Sequence, residues 1–253
     1  MNPTPSPEVG GAITALVQGR HQQPHDLLGQ HLESGGLRIR VLKPLAQSVQ
    51  VRFEDGVTLD LAHEAEGVWT AVRADAERTM DYRLAVAWAD GIEHVQDDPY
   101  RFAPTLGEVD LHLVNEGRHE LLWTVLGSRV HEYDGPMGPV KGVAFAVWAP
   151  RAKAVRVIGD FNDWDGRIHP MRMLGGSGVW ELFVPDVGVG NIYKYEIRGA
   201  DDVVRTKADP MARRTECPPN TGSVVDASGH EWGDAQWMEQ RAQSNPRTGP
   251  MST

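Results

Sequence analysis

The sequence predicts an all-β protein made of two tandem immunoglobulin-like antiparallel β-sandwiches joined by a short helical bridge. Three observations predict it. Short stretches alternate apolar and polar residues with a period of two, between clusters of Gly, Pro, Asp and Asn. The alternating βαβ pattern of a parallel-sheet enzyme is missing. The strand pattern also occurs twice, in the same order.

Taken in order, residues 1–9 are Pro-rich and read as a disordered tail. GAITALVQGR (11–20) reads as a short helix, and PHDLLG (24–29) as a helical turn closed by Gly29. In GLRIRVLKPLAQSVQVR, from Gly36 to Arg52, Ile39 and Val41 alternate with Arg38 and Arg40, and Val49 and Val51 with Gln50 and Arg52. That is strand, turn, strand with one wet face. The second half repeats the plan. Gly142 stands 106 residues after Gly36, and Pro150, Ala152, Val155 and Val157 match Pro44, Ala46, Val49 and Val51 at that shift. Further on the shift is 111, where Gly178-Val179-Trp180 matches Gly67-Val68-Trp69, Tyr193 matches Tyr82, and Asp209-Pro210 matches Asp98-Pro99. Two tryptophans and two tyrosines recurring at equivalent places are expected to be core residues.

Between the copies, DLHLVNEG (110–117) offers Asp110 as an N-cap and Gly117 as a stop, and RHELLWTVLG (118–127) has apolar residues at 121, 122, 125 and 126. Trp123 is placed to wedge between the two domains. DAQWMEQRAQ (234–243) reads as a helix starting at Asp234, before the polar, Pro-broken SNPRTGPMST. The boundaries expected are thus 10–115 for the first sandwich, 116–135 for a helical linker, 136–228 for the second sandwich and 229–253 for a further linker.

The net charge of −10 argues against nucleic acid, whose phosphates call for a basic footprint. Cys217 is the single cysteine, so no intrachain disulfide or multi-thiolate metal site is expected. The N-terminus lacks a basic, then apolar, leader. The longest near-continuous apolar run, VAFAVWAP (143–150), is far short of the ~20 residues a membrane span needs. A soluble, cytoplasmic protein without a membrane partner is expected.

No catalytic constellation stands out. His21, His25 and His31 crowd one stretch, but Pro24 interrupts the helix that would align them and no carboxylate or Cys completes a metal set. Asp97-Asp98 are adjacent on an extended chain and point to opposite faces, so they do not flank one bond. GPMGPVKG (135–142) lacks the spacing of a phosphate loop. No cofactor is implied. The one stretch that invites a ligand is FNDWDG (161–166), where a tryptophan stands at the centre of a polar turn. A flat aromatic covers the C–H face of a sugar, and Asn162, Asp163 and Asp165 beside Trp164 could bind its hydroxyl rim, with Lys194 of YKYE alongside. The other reading has Trp164 packing on its own or a neighbouring domain.

GDFNDWDGRIHPM, then GVWELFVP, IYKYEI and KADP, resembles the second N-terminal module of bacterial glycogen (1,4-α-glucan) branching enzymes, a carbohydrate-binding module of family 48. PHDLLGQH, VWTAV, DYRLAV and DDPYRFAP resemble the first N-terminal module of those enzymes. The resemblance covers about residues 20 to 253. It implies a parent enzyme whose family 13 barrel cuts α-1,4 bonds and forms α-1,6 branches. That barrel would lie outside these residues, so no catalytic residue carries over and the chain alone is expected to be inactive. It implies two partners: glycogen or linear α-1,4-glucan, and the barrel of the same polypeptide, with a part in barrel support and chain-length selection. Family members that bind glycogen use the Trp and Lys that correspond to Trp164 and Lys194. They add a second Trp where this chain has GADDVVRTKADP, without an aromatic. The same marks leave open a debranching enzyme, a trehalohydrolase or a stand-alone glycogen-binding scaffold.

Overall fold

In the computed structural model, residues 7–89, 91–227 and 233–243 are described. The first half holds seven strands: β1 (Gly29–Glu33), β2 (Gly36–Leu42), β3 (Ser48–Phe53), β4 (Thr58–Ala65), β5 (Val68–Arg73), β6 (Tyr82–Ala87) and β7 (Glu93–Gln96). They pair antiparallel in the order β1-β2-β5-β4-β3-β6-β7. The path folds into two layers because β4 changes partner along its length. Thr58 to Leu61 pair with β3, and Ala62, His63 and Ala65 pair with β5, with a register shift between His63 and Ala65. A strand that switches sheets at such an irregularity closes a sandwich. Leu37, Ile39, Val41 and Trp69 of one layer meet Val49, Val51, Tyr82 and Leu84 of the other in one buried core.

The second half has β8 (Gly127–Tyr133), β9 (Val140–Trp148), β10 (Ala154–Gly159), β11 (Arg172–Met173), β12 (Val179–Pro185), β13 (Ile192–Arg198), β14 (Val204–Lys207), β15 (Arg214–Thr215) and β16 (Ser223–Val224). One sheet runs β11-β12-β9-β8; the other runs β10-β13-β16-β15, with β14 also on β13. Val143, Phe145, Trp180 and Leu182 from the first bury against Val155, Val157, Tyr193 and Tyr195 from the second.

The duplication holds bond by bond. Trp69 Nε1 donates to the Lys43 carbonyl and Trp180 Nε1 to the Ala149 carbonyl, both at 3.1 Å. Tyr82 and Tyr193 each donate a hydroxyl to Asp98 and Asp209, both at 2.6 Å. Those carboxylates in turn accept from the backbone N–H two residues on, at Tyr100 and Met211. Gly67 and Gly178 have φ of +85° and +73°, and a Cβ on either would sit 2.3 or 2.6 Å from the Cα of Pro44 or Pro150. Only glycine fits there.

Three expectations need correction. GSRVHEY falls inside the stretch 116–135 read as helical linker, yet Gly127–Tyr133 is an edge strand paired along β9. Its polar residues hid it, because an edge strand with one open face has few apolar side chains to show. Trp123 does not wedge between domains; it is 54% exposed. The bridge helix α2 is Glu108–Asn115, capped by Gly107 rather than by Asp110, with a short 3₁₀ turn at Leu122–Thr124.

The N-terminal helix α1 spans Pro7–Val17, overlapping the expected tail at residues 7–9, while residues 1–6 lie outside the described residues. It serves the far sandwich. Ile13 and Leu16 are 1% and 2% exposed and lie in the core cluster of the second sandwich. Arg198 donates to the carbonyls of Gln18 and Gly19, and Gln23 Nε2 to that of Met173. Leu42, Val68 and Tyr100 join the same cluster, so the two sandwiches share apolar contacts. The last helix, α3, is Ala235–Gln243.

Candidate functional site

Between Val157 and Gly178 the second copy holds five residues more than the first, since the shift grows from 106 to 111. The extra chain accompanies a change of structure. Where the first copy runs into β4, the second leaves β10 at Gly159 and makes a 3₁₀ turn, Asp160–Asn162, with Asp163 and Trp164 following.

Each residue of the turn has a distinct job. Phe161 faces in and stacks on Phe145 with centroids 5.6 Å apart. Asp160 accepts from Asn191 Nδ2 and the Ile192 backbone N–H, at 2.9 and 3.0 Å. Asn162 is 5% exposed and uses its whole amide internally: Oδ1 accepts from Gly159 N–H, and Nδ2 donates to the Val157 carbonyl and to His169 Nδ1. It holds the turn and has nothing left for a sugar rim. Asp163 and Trp164 then take φ of +52° and +60°. A bulky side chain in the left-handed region is unusual and costs about 1–3 kcal/mol, tolerated where surroundings over-determine it. Here the Trp164 N–H is tied to the Gly159 carbonyl at 2.9 Å.

The result is a tryptophan 43% exposed and outside every buried cluster. Asp163 is also exposed. Asp165 is paired through both oxygens with the Arg167 side chain, whose hydrogen bonds hold its carboxyl below the usual carboxylate range. At Gly166 a Cβ would stand 2.8 Å from Glu196 Oε1 and 3.1 Å from Arg156 Cδ, so the turn lies against the outer face of β10 and β13. Lys194 is on that face. It pairs with Ile158 across the ladder, lies two residues from Glu196, and donates to Thr221 Oγ1 at 2.8 Å. Thr221 had not stood out in the sequence, as nothing local marks a threonine 27 residues away as a lysine's partner. The region after β13 presents Val203 and Val204, each about half exposed, and no second aromatic platform.

Among the described residues no group of three or more His, Cys, Asp or Glu is placed to hold a metal ion. Asp98 is a buried structural acceptor and Asp97 pairs with Arg101. No helix of the described residues is long and apolar enough to cross a membrane.

Residues 10–100 match the family model of the alpha-1,4-glucan branching enzyme GlgB, N-terminal domain, and residues 125–212 match Carbohydrate-binding module 48 (Isoamylase N-terminal domain). The chain is 51% identical over 240 residues to the 1,4-alpha-glucan branching enzyme GlgB of Rhodococcus jostii (strain RHA1), across 95% of this chain and 32% of that protein. This is the N-terminal region of the GlgB family. The GlgB of Thermobifida fusca (strain YX) is 52% identical over 240 residues, with the same coverage of 95% and 32%. The chain therefore spans about a third of the length of the curated GlgB relatives it matches. Among solved structures, pullulanase type I from Bacillus subtilis str. 168 complexed with maltose aligns at TM-score 0.35 and 17% identity, over 81% of this chain and 27% of that one.

Proposed function

We propose that these residues are the non-catalytic, glucan-contacting part of a cytoplasmic branching enzyme, which cuts α-1,4-glucan and forms α-1,6 branches in glycogen biosynthesis. In this reading Trp164 stacks on the C–H face of a glucose unit and Lys194 donates to its hydroxyls. Asp165 acts only by steadying Arg167 and the turn, and Asn162 by locking it. The sandwiches also brace the catalytic barrel of the same polypeptide and bias the length of chain transferred. The observation that carries the reading is the turn itself. An indole held half in water at a strained backbone angle, by a fully committed asparagine, is a display rather than a core contact. The exposed thiol of Cys217 fits a reducing compartment.

The test is native affinity electrophoresis with glycogen in the gel, on this chain and on Trp164→Ala, with thermal melts of both. Glycogen should retard the parent, and Trp164→Ala should run free with its melting temperature kept. No retardation of the parent would reject glucan contact at this site.

A further inference from the structure

We propose that the cleft between the two sandwiches is a second α-glucan subsite, on the other side of the FNDWDG turn from Trp164. The choice of ligand class rests on the reading of Trp164 given above; the site does not. The cleft has two adjoining lobes of about 360 and 170 Å³, which share Lys43, Gln96, Phe161 and His169. The larger lobe is also lined by Trp88 from the first sandwich and Asp163 from the second, while Trp164 does not line it. Its size falls within the range of ordinary small-ligand pockets.

Two nearly buried side chains face this space with donors to spare. Lys43 is 6% exposed, and its Nζ gives one hydrogen bond, to Gln96 Oε1 at 3.1 Å. Its other N–H groups have no partner among the described residues. His169 is 7% exposed. Because Asn162 Nδ2 donates to its Nδ1 at 2.9 Å, the ring proton sits on Nε2, which also has no partner among the described residues. Donors left unused at a cleft wall, on side chains otherwise packed in, are open to an outside acceptor. The Asp163 carboxylate, with no hydrogen-bond partner among the described residues, lines the same lobe, and the half-buried Trp88 supplies an aromatic surface.

The charge selects the ligand. Asp163 and Asp186 line the two lobes, beside Asp97 and Asp165 that are already paired with Arg101 and Arg167, against one lysine and a neutral imidazole, so the lining carries no excess of positive charge for phosphate or a nucleotide. A neutral polyol needs donors, acceptors and an apolar face together, and a chain of α-linked glucose offers all three repeatedly. The turn would then carry sugar on both sides, with Trp164 on one and Asp163 on the other.

The test is a maltoheptaose titration of the ¹⁵N-labelled 253-residue chain, following the indole N–H signals of Trp88 and Trp164, assigned with Trp88→Phe and Trp164→Phe. Both signals should move to saturation, and Trp88 should still move in Trp164→Ala. Lys43→Met, checked for folding by circular dichroism, should weaken the response at Trp88 roughly fivefold or more and leave that at Trp164 in place. Movement of Trp164 with Trp88 still overturns this proposal and leaves the Trp164 reading intact. Movement of Trp88 only when Trp164 is present overturns an independent subsite. Stillness of both overturns both readings. Inorganic phosphate shifting Trp88 where maltoheptaose does not would overturn the ligand class.

Discussion

Trp164 and Asn162 lie two residues apart in the same polar turn, and the backbone sends one out and the other in. From residue types alone they look alike as sugar contacts, since a turn asparagine reads the same whether its amide meets water or a carbonyl. The exposed indole was legible as one of two readings of the turn, but the inward commitment of Asn162 was not. His169 was missed for a related reason: a lone histidine carries no pattern, and its value comes from a partner and a cleft that only the fold assembles. His169 also leads to a prediction. Burial, with Lys43 nearby, lowers its pKa to about 3, and burial with Arg172 nearby lowers that of His25 to about 2. Both rings are neutral in the fold, while the unfolded chain protonates them below about pH 6.5. Their contribution is complete above that pH and falls on acidification toward pH 3, by about 1.4 kcal/mol per pH unit for each ring. Asp98 and Asp209, whose carboxyl pKa values burial raises, oppose this, because the folded chain takes up their protons first. The melting temperature should therefore drop between pH 7 and pH 5, and drop less in His169→Gln. An identical pH dependence in the two proteins would remove His169 from the account.

At the scale of elements, helix α1 was visible in sequence as Ala12, Ile13, Leu16 and Val17, spaced to line one face. What that face covers was not visible, because helix periodicity says that a stripe is buried and never against what. The structure sets Ile13 and Leu16 in the core of the second sandwich, more than a hundred residues away in sequence. Leu16→Ala should accordingly destabilise by about 2–5 kcal/mol, measured by denaturant unfolding, and the loss should be seen at Trp180 as well as locally. A change confined to the first sandwich would show that the helix is only loosely docked. Strand β8 teaches the converse. Its alternation is carried by Arg129, His131 and Tyr133 against exposed Val130 and Glu132, and a reading that looks for apolar repeats passes over it.

For the whole molecule, the repeat was the strongest sequence signal and survives in the hydrogen bonds of both copies. The junction between them left no such trace, since contacts between domains have no local period. It is substantial. On the outer face of the first sandwich Leu42 and Val68 reach the cluster of the second, and Tyr100 donates to the Pro170 carbonyl at 3.1 Å. Glu181, fully buried, holds Arg172 through one oxygen and the backbone and hydroxyl of Thr105 through the other. Removing one partner from such a buried ion pair leaves the other charge uncompensated. Two bodies tied this way should melt as one, in a single calorimetric transition whose van't Hoff and calorimetric enthalpies agree. Two resolved transitions would mean that the sandwiches unfold independently.

The route of the chain has a consequence for its birth on the ribosome. Helix α1 is translated before every strand it covers, and the surface it covers is finished only when Val225 has been added. At roughly 5–20 residues per second, Ile13 and Leu16 wait about 10–40 s while the first sandwich is made and folded beside them. Over that interval the helix has only its first-half neighbours, Leu27, Leu28, Leu42, Val68 and Tyr100, to pack on, and most of its cover arrives last.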